Sequence, residues 1–569
     1  MMGNFLKTQY SFSKGEIAPE FYAINNDSGV AILENMDVIQ SGGLKRRPGL
    51  KKVKSIENNS ILIPFVISES EKYLLVIYES SIDVFQNDTK LTTLVGPWHA
   101  SDLSKLQYAQ RFNQIFFVHP NYTPKIFSKT TSGFNIKSFS FYMNADVSLN
   151  IPFMRFDDTK NIAITITNID SNHATFTTNA DLWNNNWVGV RLLVNNKQWL
   201  VESVQTARSA TVSTNGNFTL PNDPITDWYE AAFGDMRGWP ISVSFHQNRL
   251  IFGGTPSAPN YIWMSKVGEY NNFDVGTGLE DEAIYATLLS AQHHQICTIV
   301  SSYSLQILTS VGEWAISNSP LTPSNVDIKQ HTSVGSISNR FLPTQQIDGS
   351  TVFVSAAGKD IRELDLDALS DKYNATDLCT MSKHLMKNPV SMAYNQYTHQ
   401  LFVVMDDGYM AVLNQYTNTD VAAWAKYTTD GLFKYVAVMN NITYVIVKRG
   451  NTSYLEKFDE SCLDDSGQYN FSYKISALPM IVSGHAPKNI RLRKISLRVM
   501  NTKTLFVNNC RMEILNYAYA DGNPGYTGDL SMNLLGTQRD TIEPLWTISS
   551  NEQLPATILS VTTEGRYLI

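Results

Sequence analysis

The chain has 569 residues, of which 43% are hydrophobic, 11% aromatic and 17% charged, with a net charge of −7. That length calls for several cores rather than one, and the composition is that of a globular, strand-favouring protein. An acidic balance excludes a tight phosphate-gripping nucleic-acid binder, whose affinity comes from a basic stripe, but leaves room for a mildly acidic wall along which a duplex slides.

From the N-terminus, 1–50 reads as a segment of its own, rich in turn chemistry. Gly42-Gly43 and Pro48-Gly49 flank the one dense basic cluster, Lys45-Arg46-Arg47. Its first residues are mixed and polar, so no secretory leader is predicted. ILIPFVI (61–67), KYLLVIY (72–78) and SIDVFQ (81–86) follow as strand-like runs, then QIFFVHP (114–120) and PKIFSK (124–129). None approaches the ~20 apolar residues of a membrane helix. We assign 51–156 as the first part of a propeller-like β region. Across 157–240 the texture shifts to Thr/Asn/Val-rich alternation, which predicts an inserted small β-barrel or sandwich.

The strand grammar resumes over 241–460, the second part of the propeller-like region. ISVSFHQ (241–247), RLIFGG (249–254), YIWMSK (261–266), three runs within 295–318, TVFVSA (351–356) and DIRELDL (360–366) lead to its plainest stretch. There VSMAYNQ (390–396), QLFVVM (400–405), YMAVLNQY (409–416) and VAAWAKYT (421–428) are separated by tight turns, including Asp407-Gly408. Four strands in that span have the size of one propeller blade. FKYVAVM (433–439), Asn440-Asn441, ITYVIVKR (442–449) and SYLEKF (453–458) extend the pattern. A short helix is predicted around 367–373, and 461–569 is read as a C-terminal β module. The fold class expected is mainly β, with a propeller-like core; a sandwich shares many of the same signals.

Three segments carry a resemblance. FSKGEIAPEFY (12–22) with LENMDVIQSGGLKRRPG (33–49) matches at Phe12, Gly15, Glu16, Pro19, Glu20, Tyr22, Glu34, Asn35, Gly42, Gly43, Arg46, Arg47, Pro48 and Gly49. GWPISVSFHQNRLIFGGTPSAPNYIWMSKVGEYNNFD (238–274) and LTSVGEWAISNSPLTPSNVDIKQHTSVGS (308–336) supply the second and third, and RFNQIFFVHPNYTPKIF (111–127) a fourth, weaker echo. In this order they resemble the tail nozzle family of podovirus-type phages, also called tail tubular protein B. The Gly-Arg that commonly follows the first segment is Ala23-Ile24 here, and the spacer between its halves is shorter.

The resemblance implies a structural virion protein of the tail, assembled in the bacterial cytoplasm, and not an enzyme. It implies a homo-hexamer beneath the portal and its adaptor ring, with tail tip, needle or fibre proteins below. Packaged double-stranded DNA would pass through the channel without sequence-specific binding. Arg46 and Arg47 are open between a solvated turn, an inter-subunit or adaptor contact, and a DNA contact. Gly253-Gly254 reads as a turn or bulge, and Trp263 and Trp314 as buried inter-strand aromatics.

Chemistry is sparse. No nucleophile elbow, zinc-protease or phosphate-loop pattern occurs, and no cofactor is expected. His293, His294 and Cys297 lie close in sequence but lack the convergent partners of a metal site. Asp365, Asp367 and Asp371 lack the Gly and Glu of a calcium loop. Glu280-Asp281-Glu282 raises the question of paired carboxylates, but neighbours in sequence diverge, so an exposed acidic turn is expected. Cys297, Cys379, Cys462 and Cys510 are too dispersed for a disulfide framework and are read as buried free thiols. Two further readings are a host-surface adhesin using a propeller or the inserted domain to hold glycans through Trp and Tyr, and a polysaccharide depolymerase.

Overall fold

The computed structural model describes residues 2–22, 27–170, 172–216, 218–367, 369–370, 372–481, 487, 489–514, 525–534 and 544–568. Among the described residues the regular structure is β, interrupted by 3-10 turns such as Pro19–Phe21 and Lys383–Leu385. The aromatic and β-branched runs explain this: Gln400–Met405 is buried along its whole length, as a strand covered on both faces must be. Thr89–Val95 instead alternates between exposed and half-buried positions, as an outer strand does. Among the described residues no helix is long and apolar enough to cross a membrane.

The chain divides into two compact units, 1–93 with 342–569, and 94–341. Among the described residues seven four-stranded antiparallel meanders repeat along it, six as separate sheets and one as the first four strands of an eleven-stranded sheet. The core is therefore propeller-like.

In the first unit, one meander runs Pro389–Asn395, Gln400–Met405, Met410–Tyr416 and Val421–Tyr427. The next runs Leu432–Met439, Ile442–Arg449 and Thr452–Asp459, and takes its fourth strand, Gly49–Ile56, from far upstream. Phe402, Val412, Phe433 and Val445 pack these two sheets together. Val76, Phe85, Met439 and Ile446 join the second to the meander that begins at Ile61–Val66. Turns needing a left-handed residue have one: Gly408 has φ 94° and Asn440 φ 59°.

Among the described residues of 367–373 the expected helix is not there. Ile361–Asp367 and Lys372–Asp377 are strands of one hairpin, paired from Arg362–Asp377 to Asp367–Lys372. Ladder pairing on either side overrides the local helical preference of the sequence.

The segment 1–50 is shared between the sheets of the first unit. Met2–Gln9 pairs with Thr557–Leu568, and Leu44–Arg46 lies against the same strand. Ile32–Glu34 bridges Val421–Tyr427 and Tyr473–Ser476. The C-terminal β module is thus two sheets over one apolar core that includes Phe12, Leu33, Ile495, Trp546 and Ile558.

In the second unit, the meanders within 107–138, 242–287 and 296–332 are joined in sequence by packed cores, Phe116 against Phe245 and Ile251 with Ile299 and Ile307. The insertion is a seven-stranded sheet, from Phe153–Met154 and Trp228–Ala231 through Arg191–Val194, Lys197–Thr206, Ser209–Ser213 and His173–Thr178 to Ile164–Asn168. Ile164 and Ile225 exchange two backbone hydrogen bonds of 2.8 Å, closing it into a small barrel. Trp183, Trp187, Trp199 and Trp228 fill its interior.

Candidate functional site

The residues singled out by the resemblance form two buried polar nodes, one in each unit.

In the first node, Asn35 sits at φ 55° between Ile32–Glu34 and Met36–Val38 and turns its side chain inward. Its Nδ2 donates to Ser472 O (2.7 Å) and Thr428 Oγ1 (2.9 Å), and its Oδ1 accepts from Thr428 N and Arg47 Nε, each at 2.9 Å. Arg47 has no exposed surface. Its Nη1 donates to Asp465 Oδ1 (3.0 Å) and Pro48 O (2.9 Å), and its Nη2 to Asp465 Oδ2 (2.9 Å) and Thr428 O (2.8 Å). All the donors of a guanidinium are thereby used. Arg46 donates to the carbonyls of Glu552, Leu554 and Phe471 and to Gln553 Oε1. Both guanidiniums lie against the Phe471 ring, at 4.3 Å for Arg46 and 3.5 Å for Arg47. Burial, with Arg47 beside it, pulls Arg46 down to about 10.

This corrects the reading of Arg46 and Arg47 as a solvated turn or a contact for a subunit, adaptor or DNA. Both are turned inward, with their hydrogen-bonding capacity directed to strands and loops of their own unit. Gly49 allows the approach, since a Cβ there would lie 2.1 Å from Asp464 O. Glu16 extends the node: its Oε2 accepts from Leu33 N (2.7 Å) and its Oε1 faces His384 Nε2 (2.7 Å).

The second node gathers the other segments. Gln247 and Asn248, at φ 43° and 62°, make the hairpin between Ser242–His246 and Arg249–Gly253. Arg249, fully buried, donates to the carbonyls of Ser265 (2.8 Å), Glu282 (2.5 Å) and Glu280 (2.8 Å). Gln247 accepts from Leu321 N (2.7 Å) and donates to Asn318 O (2.9 Å). Asn248 Oδ1 accepts from Arg111 Nη2 (2.6 Å) and Tyr270 OH (2.7 Å). Segments 111–127, 238–274 and 308–336 therefore meet around one turn. Trp263 and Trp314 are buried between strands, and Gly254 turns at φ 60°.

The remaining candidates fall apart geometrically. Glu280 and Asp281 are exposed, but Glu282 is buried and accepts from the N–H groups of Gly278 (2.6 Å) and Leu279 (2.8 Å), holding the acidic loop closed. His293 is exposed; His294 stacks on Trp314 with Nδ1 3.0 Å from Gln292 O; Cys297 is buried near the carbonyls of Gln295 and Ser336. Among the described residues no group of three or more His, Cys, Asp or Glu is arranged to hold a metal. Asp365 and Asp367 lie on one strand, and Asp371 and Ala23-Ile24 fall outside the described residues. Of the four free thiols only Cys297 and Cys379 are buried; Cys510 is exposed. Of the tryptophans in 157–240, Trp183, Trp187, Trp199 and Trp228 are enclosed by the barrel's own sheet, whereas Trp239 is half-buried outside that core.

His119 is a buried titratable group in the 111–127 segment. Its Nδ1 accepts from Asn121 N (3.1 Å), and burial, opposed by Asp102, pulls its pKa from 6.5 to about 4. The neutral ring thus favours the folded state at neutral pH, and that contribution is lost as pH falls from about 6.5 through 4. The urea midpoint of the wild type should drop between pH 7 and 4.5, and His119→Phe should drop less; equal drops would show that other groups set the acid limb.

No family model and no curated protein sequence matches the chain. Solved structures similar to it include BamB from Moraxella catarrhalis, at 10% identity and TM-score 0.35, covering 72% of this chain and 98% of that one. The C-terminal WD40 domain of Sif2 gives 12% and 0.35, covering 73% and 99%. The β-propeller domain of Cps50 (Swd1) from Myceliophteria thermophila gives 7% and 0.36, covering 72% and 99%. Likeness at these scores decides nothing about function.

Proposed function

We propose that this chain is a structural subunit of a short-tailed phage-type tail: one wall element of a hexameric nozzle that extends the portal-adaptor channel, retains packaged DNA and passes it on ejection. The observation that carries the reading is the ordered resemblance over 12–49, 238–274 and 308–336, whose polar residues here are the buried nodes around Arg47 and Arg249. A conduit wall needs stiffness more than chemistry, and close-packed sheets fastened by buried polar nodes resist deformation. A net charge of −7 suits a surface along which a duplex slides without sticking. Closure into a ring would use two different faces of each subunit, meeting head to tail, with the adaptor ring above and tip, needle or fibre proteins below.

The test is quantitative mass spectrometry of purified particles, counting this chain against the portal subunit. One copy for every two portal subunits is the expected result for a hexamer under a dodecameric portal. Absence from particles, or several copies per portal subunit, would overturn the assignment.

A further inference from the structure

The inserted barrel carries an unexplained charge. Arg191 opens the strand Arg191–Val194, in which Leu192 and Val194 point into the barrel core. Alternation therefore sends Arg191 and Leu193 to the outer face. Arg191 is half-buried, and its side chain makes no hydrogen bond or ion pair among the described residues. Burial alone lowers its pKa, with no carboxylate near enough to offset it. An unpaired, partly desolvated cation is costly; by contrast Arg47 is paired with Asp465, and the terminal nitrogens of Arg249 donate to three carbonyls.

The register shows what surrounds it. Arg191 pairs with Leu200, Leu200 with Ser213, and Ser213 with His173, so one transverse row across four strands forms a floor. The next row begins with Leu193 opposite Gln198. Loop 146–149 overhangs this face, fastened where Gln198 accepts from Leu149 N (3.0 Å) and donates to Leu149 O (2.8 Å). Between loop and floor lies a groove of about 510 Å³, lined also by Asn172, Asn196, Thr214 and Asn215. That volume falls in the range of small-ligand sites, about 300–1,000 Å³.

The other charged groups of the groove are already held. Asp146 accepts from the N–H (3.1 Å) and hydroxyl (2.6 Å) of Ser148. His173 sits between Asp170, at 2.9 Å, and Glu202, at 3.7 Å. Lys197 Nζ donates to Gly216 O (2.8 Å). Arg191 remains, among amide and hydroxyl side chains that both donate and accept, as sugar hydroxyls require.

We propose that this groove binds an anionic saccharide, with Arg191 receiving its carboxylate or phosphate and the surrounding Asn, Ser and Thr side chains its hydroxyls. A guanidinium fork matches a carboxylate in a bidentate pair, and a ligand there supplies the countercharge the fold withholds. The site needs no tryptophan or tyrosine of the insertion and stands independently of the conduit reading.

The experiment is calorimetric titration of the full chain with tetragalacturonate, using maltotetraose as the neutral twin. Saturable binding of the first and none of the second is expected. Arg191→Gln should weaken binding at least about tenfold, and Ser213→Trp, which fills the floor, should abolish it. Arg191→Gln should unfold no earlier than the wild type, because it removes an unpaired charge. Equal binding of maltotetraose would overturn the proposal, as would no binding at millimolar concentration or affinity unchanged in Arg191→Gln. Displacement by inorganic phosphate at equal concentration would reduce the site to a bare anion hole and overturn the saccharide assignment. An oligomer in the wild type that Arg191→Gln dissolves would give the groove to a second copy and overturn it equally.

Discussion

Asp465→Ala should cost the unit formed by 1–93 and 342–569 about 3–5 kcal/mol, the usual result of removing one partner from a buried ion pair. Asp465 and Arg47 have no exposed surface at all, and the carboxylate also accepts from Thr429 Oγ1 at 2.7 Å. Its loss leaves a guanidinium with two donors aimed at a cavity and no water to replace the oxygens. The double replacement Arg47→Met with Asp465→Leu should recover part of the loss, because no charge is then stranded. Recovery stays incomplete, since Arg47 also serves Thr428 O, Pro48 O and Asn35 Oδ1. Urea midpoints measure both, and hydrogen exchange at Ile32–Glu34 and Tyr473–Ser476 should accelerate while the barrel strands stay protected. An unchanged midpoint in Asp465→Ala would show that the node contributes nothing net.

Arg249→Met is the second large effect, expected at about 3–5 kcal/mol in the 94–341 unit, from unsatisfied buried carbonyls at about 1–3 kcal/mol each. Ser265 O, Glu280 O and Glu282 O would lose the donor that draws the 274–283 loop onto the hairpin. Arg249→Lys should not rescue it, because one ammonium lacks the spread of a planar fork. The loop reports directly: the amides of Gly278 and Leu279, held by Glu282, should exchange faster in both variants. Rescue by lysine would mean that charge, not the fork, holds the loop.

Where alternation is broken by a residue suited to a left-handed turn, the strands were legible almost to the residue. Lys72–Tyr78, Ser81–Gln86, Gln400–Met405 and Ile442–Arg449 coincide with the apolar runs that announce them. Legibility ended where a partner is remote. Nothing local marks Gly49–Ile56 as the fourth strand of a sheet completed by Thr452–Asp459, or sends Arg47 to Asp465, 418 residues away. Arg46-Arg47 between turn glycines reads as surface chemistry until the acceptors are known. Around 367–373 a helix-favouring composition gave way to ladder pairing that begins at Asp367–Lys372. Arg191 was hidden for the opposite reason. Its strand alternates as any half-buried strand does, and only the absence of a countercharge sets it apart.

The sheet shared by Gly49–Ile56 and Thr452–Asp459 also sets a timetable for the nascent chain. At about 5–20 residues per second, strand 49–56 emerges from the ribosome roughly 20–80 s before its neighbour exists. Throughout that interval it presents an unpaired edge, and it carries Lys51, Lys52 and Lys54, the charge that natural edge strands use to discourage adventitious pairing. Met2–Gln9 waits longer still, for Thr557–Leu568. The barrel and the sheets of 94–341 draw their strands from a compact stretch, so the second unit has all its strands available before the first unit does. Late closure of this kind makes maturation a slow, high-contact-order step, and it makes the lysines of 49–56 part of how the protein survives its own synthesis.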